Sequence, residues 1–217
     1  MTQSEMALAM GPEAAHEESH EQSPFGIQSR KLVMWLFIIA DAATFGAILF
    51  GYGYLRAGSP NWSRPFAFMP TILNGMVMTA VLLTSSLTML FAVAAAQADR
   101  RESSVRWLGL TALLGAAFAG LHLREWFKMF AEGWSTSTNP LGGSALFGGT
   151  FFSITGLHLL HVTAGVVALT VIAIGFRRGR FDAAHVETTG LYWHFVDVVW
   201  MFVFPLVYLM NARGGIS

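Results

Sequence analysis

The chain has 217 residues, of which 54% are hydrophobic and 12% charged, and its formal net charge is zero. A soluble domain carries about 25% charged residues, so this deficit points to a membrane protein. The absence of cysteine excludes disulfide frameworks, cysteine-ligated zinc, iron–sulfur clusters and dinuclear copper, and the neutral balance offers no basic surface for nucleic acid.

Residues 1–29 hold Glu5, Glu13, Glu17, Glu18, Glu21, His16 and His20 with no Lys or Arg. This composition predicts a solvated acidic tail. A cleavable signal peptide needs a positive start followed by an apolar core, and neither is present.

Five apolar stretches follow, at about 31–55, 71–98, 105–130, 144–176 and 190–210. Each reaches the roughly 20 residues that a helix needs to cross hydrocarbon. The first opens on Arg30 and Lys31 and closes beside Tyr52, Tyr54 and Arg56, residue types that anchor helix ends at the interface. Asp41 stands ten residues into it, about 15 Å deep at 1.5 Å per residue, so its carboxyl must be neutral, paired or hydrated. Pro60, Pro65 and Pro70 then stiffen a connector containing Trp62.

The second stretch is rich in small and hydroxyl residues, including Thr84, Ser85, Ser86 and Thr88, which favour close helix contact and bonds between helices. The charged run 99–102 ends it. The third carries Gly115, Ala116, Ala119 and Gly120, then His122, Arg124, Glu125 and Lys128 towards its far end. Residues 132–143 read as a loop from Gly133, Asn139, Pro140 and the paired glycines. The fourth stretch places His158 and His161 three residues apart near its middle and closes on Arg177, Arg178 and Arg180. The fifth contains His194 and Asp197 at the same spacing, on one helical face and within reach of an ion pair or hydrogen bond.

The predicted fold is an all-α polytopic membrane protein, a bundle of five transmembrane helices. An acidic tail (1–29) precedes a membrane domain (30–212), and 213–217 form a C-terminal tail. Arg30, Lys31, Arg100, Arg101, Arg106, Arg177, Arg178 and Arg180 fall on the side of the N-terminus; Arg56, Arg64, Arg124, Lys128 and Arg213 fall on the other. The positive-inside rule puts the N-terminus in the cytoplasm and the C-terminus outside.

Intramembrane histidines invite a haem or metal reading, which the spacing opposes. His158 and His161 project from one helical face and cannot ligate both sides of one haem. No Glu-x-x-His pair of the di-iron kind is present. No cofactor or metal is therefore expected on this chain. Two readings of the polar positions stay open. Asp41, His122, Glu125, His158, His161, His194 and Asp197 are residue types found in proton relays, which would suit an independent proton or solute carrier. Alternatively they lock helices together in a structural subunit that holds lipids and partners.

Two segments carry a family resemblance. Residues 147–165, with Phe147-Gly148, Phe151-Phe152, Thr155-Gly156, His158, His161-Val162 and Gly165, and residues 192–200, Tyr-Trp-His-Phe-Val-Asp-Val-Val-Trp, resemble subunit III of the haem-copper respiratory oxidases. The resemblance extends over about 31–211. Ala40-Asp41 resembles a place where the family has a glutamate after a small residue. Gly115, Phe118, His122, Glu125 and Trp126 resemble a family pattern with glutamine and tyrosine where this chain has His122 and Trp126. The two N-terminal helices of seven-span members have no counterpart, as in a five-helix bacterial form.

The resemblance implies a subunit without a redox centre in an inner-membrane oxidase that reduces oxygen and pumps protons. It would pack on catalytic subunit I with subunit II, retain phospholipids, sustain proton uptake, and leave haem and copper to its partners; contacts with other respiratory complexes are compatible with this. Asp41, His122 and Glu125 would then support proton uptake or form buried polar sites. His158, His161, Trp193, His194 and Asp197 would contact lipid or pack helices. An accessory subunit of a nitric oxide reductase is the nearest alternative.

Overall fold

The computed structural model describes residues 29–142 and 145–213. The tail at 1–28, Gly143, Ser144 and 214–217 lie outside the described residues, so the expectations for both tails lie outside them too. Among the described residues five helices are long and apolar enough to cross a membrane: α1 (Ser29–Gly58), α2 (Leu73–Gln97), α3 (Arg101–Ala131), α4 (Leu146–Arg177) and α5 (Ala183–Val203), the second and fifth extended by short turns at Phe68–Ile72 and Phe204–Asn211. No strand occurs among the described residues. The chain is an all-helical, multi-pass membrane protein. It divides into two units, 1–40 and 41–217. The first contributes the opening turns of α1, from Ser29, and the second the remainder of α1 and the other four helices.

The helix ends follow from local chemistry. After α2, α3 and α4 the residues Asp99, Gly133 and Gly179 adopt φ of 54°, 87° and 71°. Each turn closes in the same way: Arg100, Trp134 and Arg180 donate back to Ala95, Met129 and Gly175 at 2.9–3.0 Å. This doubly bonded turn satisfies carbonyls that a helix end leaves open. Glycine tolerates the left-handed backbone without a Cβ clash, and aspartate is among the few other residues that visit it.

The fifth helix begins at Ala183, seven residues before the expected boundary at 190. Asp182 Oδ1 accepts the backbone N–H of His185 at 3.1 Å, while the Asp182 N–H donates to His185 Nδ1 at 3.4 Å. Such a capping box starts a helix ahead of its apolar stretch. At the other end, Pro205 supplies no N–H, and the α-helix gives way to wider turns at Phe204–Tyr208.

Within the second unit α2 packs on α3, α3 on α4, and α5 against α2 and α4. Fully buried Trp193, Trp200, Phe118 and Leu82 lie among these helices. Large apolar side chains such as Leu83, Leu87, Leu90, Val167 and Val171 face outwards, the arrangement for a surface in contact with hydrocarbon or another membrane subunit.

Glycines admit the largest ring. A Cβ on Gly115 of α3 would come within 2.9 Å of Trp193 Cζ2, and one on Gly165 of α4 within 2.8 Å of its Cζ3. Trp193 therefore occupies a slot that both helices leave open. Small residues in membrane helices permit this close approach.

Candidate functional site

The polar interior starts from Asp41 and His161. His161 Nε2 is 3.0 Å from Asp41 Oδ2, and His161 Nδ1 is 2.8 Å from the Leu157 carbonyl oxygen one turn back. A carbonyl accepts only, so Nδ1 carries a proton. Bonding across Nε2 and Oδ2 then requires one proton between them. The pair is either imidazolium with carboxylate or neutral imidazole with carboxylic acid. Its net charge is zero in both forms, which suits a site at membrane depth, where unbalanced charge is expensive. Tyr192 Oη donates to the His161 carbonyl at 2.9 Å and ties α5 to this position.

One turn along α4, His158 enters a cluster with His122 of α3. The Trp200 ring stacks on His158 at 5.2 Å and 27°, and meets the His122 ring at 5.7 Å. Phe118 lies 5.7 Å from both imidazoles. Both histidines are 0% exposed, and none of their four ring nitrogens has a hydrogen-bond partner among the described residues.

Glu125 is one turn from His122 towards the 132–142 loop, with 5% exposure. Asn74 Nδ2 donates to its Oε2 at 3.2 Å, and Lys128 Nζ lies 3.9 Å from its Oε1. Lys128 also donates to Thr71 Oγ1 at 3.1 Å and pairs with Glu132 at 3.9 Å. Thr71, Glu125, Lys128 and Glu132 border a vestibule of about 310 Å³, lined also by Pro70, Met129 and Arg213. Lys128 thus reaches inward to Glu125 and Thr71 as well as along its own helix to Glu132.

The polar pair in the 192–200 segment is arranged differently from a direct bond. His194 Nδ1 is 2.6 Å from Ser86 Oγ on α2, while Asp197 Oδ1 is buried with no hydrogen-bond partner among the described residues. Beside Ser86, Trp193 Nε1 donates to Ser85 Oγ at 3.1 Å, and that hydroxyl donates to the Leu82 carbonyl at 2.7 Å. Consecutive serines of α2 thus hold consecutive polar residues of α5.

Some partners carried no signal of their own in the sequence. Asn74 is the hydrogen-bond donor to Glu125. Asn211, fully buried, accepts from Trp62 Nε1 at 2.9 Å and donates to Tyr52 Oη at 2.6 Å and the Val207 carbonyl at 2.7 Å. It binds the connector after α1, α1 itself and the end of α5 at one point. An asparagine at the end of an apolar run was the available hint, and it reads equally well as a helix terminator.

No cluster of three or more His, Asp or Glu groups arranged to hold a metal occurs among the described residues. A sequence model for cytochrome c oxidase subunit III matches residues 10–212. The chain belongs to this family of haem-copper oxidase subunits. A ubiquinol oxidase subunit 3, of the cytochrome bo(3) type, from Pseudomonas aeruginosa is 34% identical over 211 residues, covering 94% of this chain and 95% of that protein. Cytochrome c oxidase subunit 3 of Bacillus subtilis is 34% identical over 193 residues, covering 86% and 89%. A probable quinol oxidase subunit 3 of Staphylococcus aureus is 32% identical over 184 residues, covering 83% and 89%. The family motifs at 147–165 and 192–200 lie on α4 and α5, where His158, His161, Trp193, His194 and Asp197 meet α1, α2 and α3.

Proposed function

We propose that this chain is the non-catalytic subunit III of a bacterial haem-copper terminal oxidase. It assembles with subunits I and II in the cytoplasmic membrane, with its N-terminus in the cytoplasm and its C-terminus in the periplasm. The partners hold the haem and copper that reduce oxygen. The observation that carries this reading is the subunit III family match over 10–212, supported by relatives named as quinol and as cytochrome c oxidase subunits.

In this reading the chain supports catalysis in three ways. Asp41, His122 and Glu125 sustain proton uptake through groups kept polar at membrane depth. Trp193, His194, Asp197, His158 and His161 hold α4 and α5 in the fold. Phospholipid is retained on the outer helix faces. A groove of about 540 Å³ between α1 and α4, bordered by Ile48, Leu55, Leu146 and Ile154, has the apolar walls that an acyl chain requires.

Purification of the native complex through a tag on this chain tests the proposal. Haem spectra, copper and oxygen consumption should follow the tag. Purification with haem but without copper, together with nitric oxide reduction, would move the chain to a nitric oxide reductase. Proton flux by the isolated reconstituted chain, abolished by Asp41→Asn, would establish an independent carrier instead.

A further inference from the structure

The two buried imidazoles of His122 and His158 have a hydrogen-bonding demand that their surroundings do not meet. A neutral imidazole offers one donor and one acceptor, so the two rings together present two of each. Trp200 and Phe118 cover both rings, and none of the four nitrogens is bonded within the described residues. A direct bond between the rings would use one donor and one acceptor. The other two nitrogens would still be stranded among aromatic walls. A group with both donors and acceptors, small enough to enter a packed bundle, satisfies the remainder; water has that chemistry and commonly completes buried polar groups in this way.

The position also has a polar approach. Glu125 is one helical turn from His122 and borders the vestibule beside Lys128 and Thr71. On the opposite side, His158 is one turn from His161, and Phe45 touches both imidazoles, with ring centroids 6.5 and 5.3 Å away. His161 in turn bonds to Asp41. Reckoned at about 1.5 Å per residue from the ends of α3 and α4 that flank the 132–142 loop, His122 and His158 lie at similar depths, about 14 and 18 Å.

We propose that His122 and His158 form an internal water-binding site, and that this water makes a hydrated polar line from the Glu125 vestibule to the Asp41–His161 pair. The line deepens the proposed proton support and depends on that reading only for its use. Water binding itself rests on the two imidazoles and their unmet hydrogen bonds.

A cryo-electron microscopy map of the intact native complex, sharp enough to show ordered water, is the direct test. The expected result is water within about 3.2 Å of a ring nitrogen of His122 or His158. A dry pocket with the imidazoles bonded to each other, or rotated onto protein groups, overturns the site. X-ray hydroxyl-radical footprinting of the same complex supplies an independent readout, since radicals form where water resides. Trp200 flanks both histidines, while Trp193 is equally buried in its glycine slot. Trp200 should be oxidised several-fold faster than Trp193, and the excess should vanish in the His122→Phe, His158→Phe complex. Equal rates in the parent overturn the proposal even if that double variant fails to assemble. Neither readout uses oxygen reduction, so failure of the water site and failure of the oxidase reading are separately visible.

Discussion

Asp41 and His161 share one proton: His161 Nδ1 donates to the Leu157 carbonyl, and only 3.0 Å separates its Nε2 from Asp41 Oδ2. The arrangement keeps a carboxyl and an imidazole together without net charge. Asp41→Asn keeps a donor towards Nε2 and should leave assembly near the parent level. The amide cannot exchange the shared proton as a carboxyl does, so sustained turnover should fall and turnover-linked inactivation should quicken. Oxygen consumption followed over many turnovers checks this; unchanged activity and inactivation rate would reduce Asp41 to a packing residue. Asp41→Leu strands Nε2 as well, at a cost of about 1–3 kcal/mol for a buried group left unpaired, and should lower the amount of this chain recovered in the complex.

The slot around Trp193 predicts a position-dependent response to added methyl groups. Gly165→Ala and Gly115→Ala would press on the indole, and overpacking of this kind costs about 1–3 kcal/mol. Gly109→Ala, where a Cβ meets nothing within 4 Å, should be neutral or stabilise the helix by about 0.4–1 kcal/mol. Thermal dissociation of the chain from the purified complex measures all three. Equal behaviour of Gly165→Ala and Gly109→Ala would contradict this packing around Trp193.

The bond from Trp193 to Ser85 is testable as a double-mutant cycle. Ser85→Ala leaves the indole N–H unpaired in a fully buried position and should destabilise by about 1–3 kcal/mol. Trp193→Phe removes the donor along with part of the ring. In the Trp193→Phe background Ser85→Ala should cost less, and thermal denaturation of the four complexes would give the coupling. Strict additivity would show that the bond contributes nothing.

Asn211 predicts an effect far from its place near the chain end. Asn211→Leu removes the acceptor of Trp62 and the donor to Tyr52, with a loss on the order of 1–3 kcal/mol. The connector at 59–67 should become more sensitive to limited proteolysis, while haem content per complex stays constant. Unaltered cleavage would mean that aromatic packing alone holds the connector.

Haem and copper content offer a further check on the histidines. His161→Ala should leave both metals unchanged relative to the catalytic subunit in the purified complex. Loss of a metal while all partner subunits remain would assign ligation to this chain.

Much of the architecture was legible because hydrocarbon imposes a one-dimensional rule. Long apolar runs, basic flanks and turn residues predict five spans from composition alone. The apolar stretch from 190 does not reveal that the fifth helix starts at Ala183, because Asp182 and His185 satisfy the first turn through local hydrogen bonds, independently of apolar length. Glycine placement suggested close packing but did not reveal that Gly115 and Gly165 flank one tryptophan. That fact depends on which helices become neighbours.

Residue types and spacing in the sequence determined the family resemblance, the helical class and the presence of ionisable groups at membrane depth. Helix periodicity put His194 with Asp197, and His158 with His161, on shared faces. Only the tertiary structure decided their partners: Ser86 bonds to His194, Asp41 bonds to His161, and His122 joins His158 around Trp200. Spacing sets the direction of a side chain along its own helix. Hydrogen bonds between helices also depend on their depth, rotation and separation, which packing of the whole bundle selects.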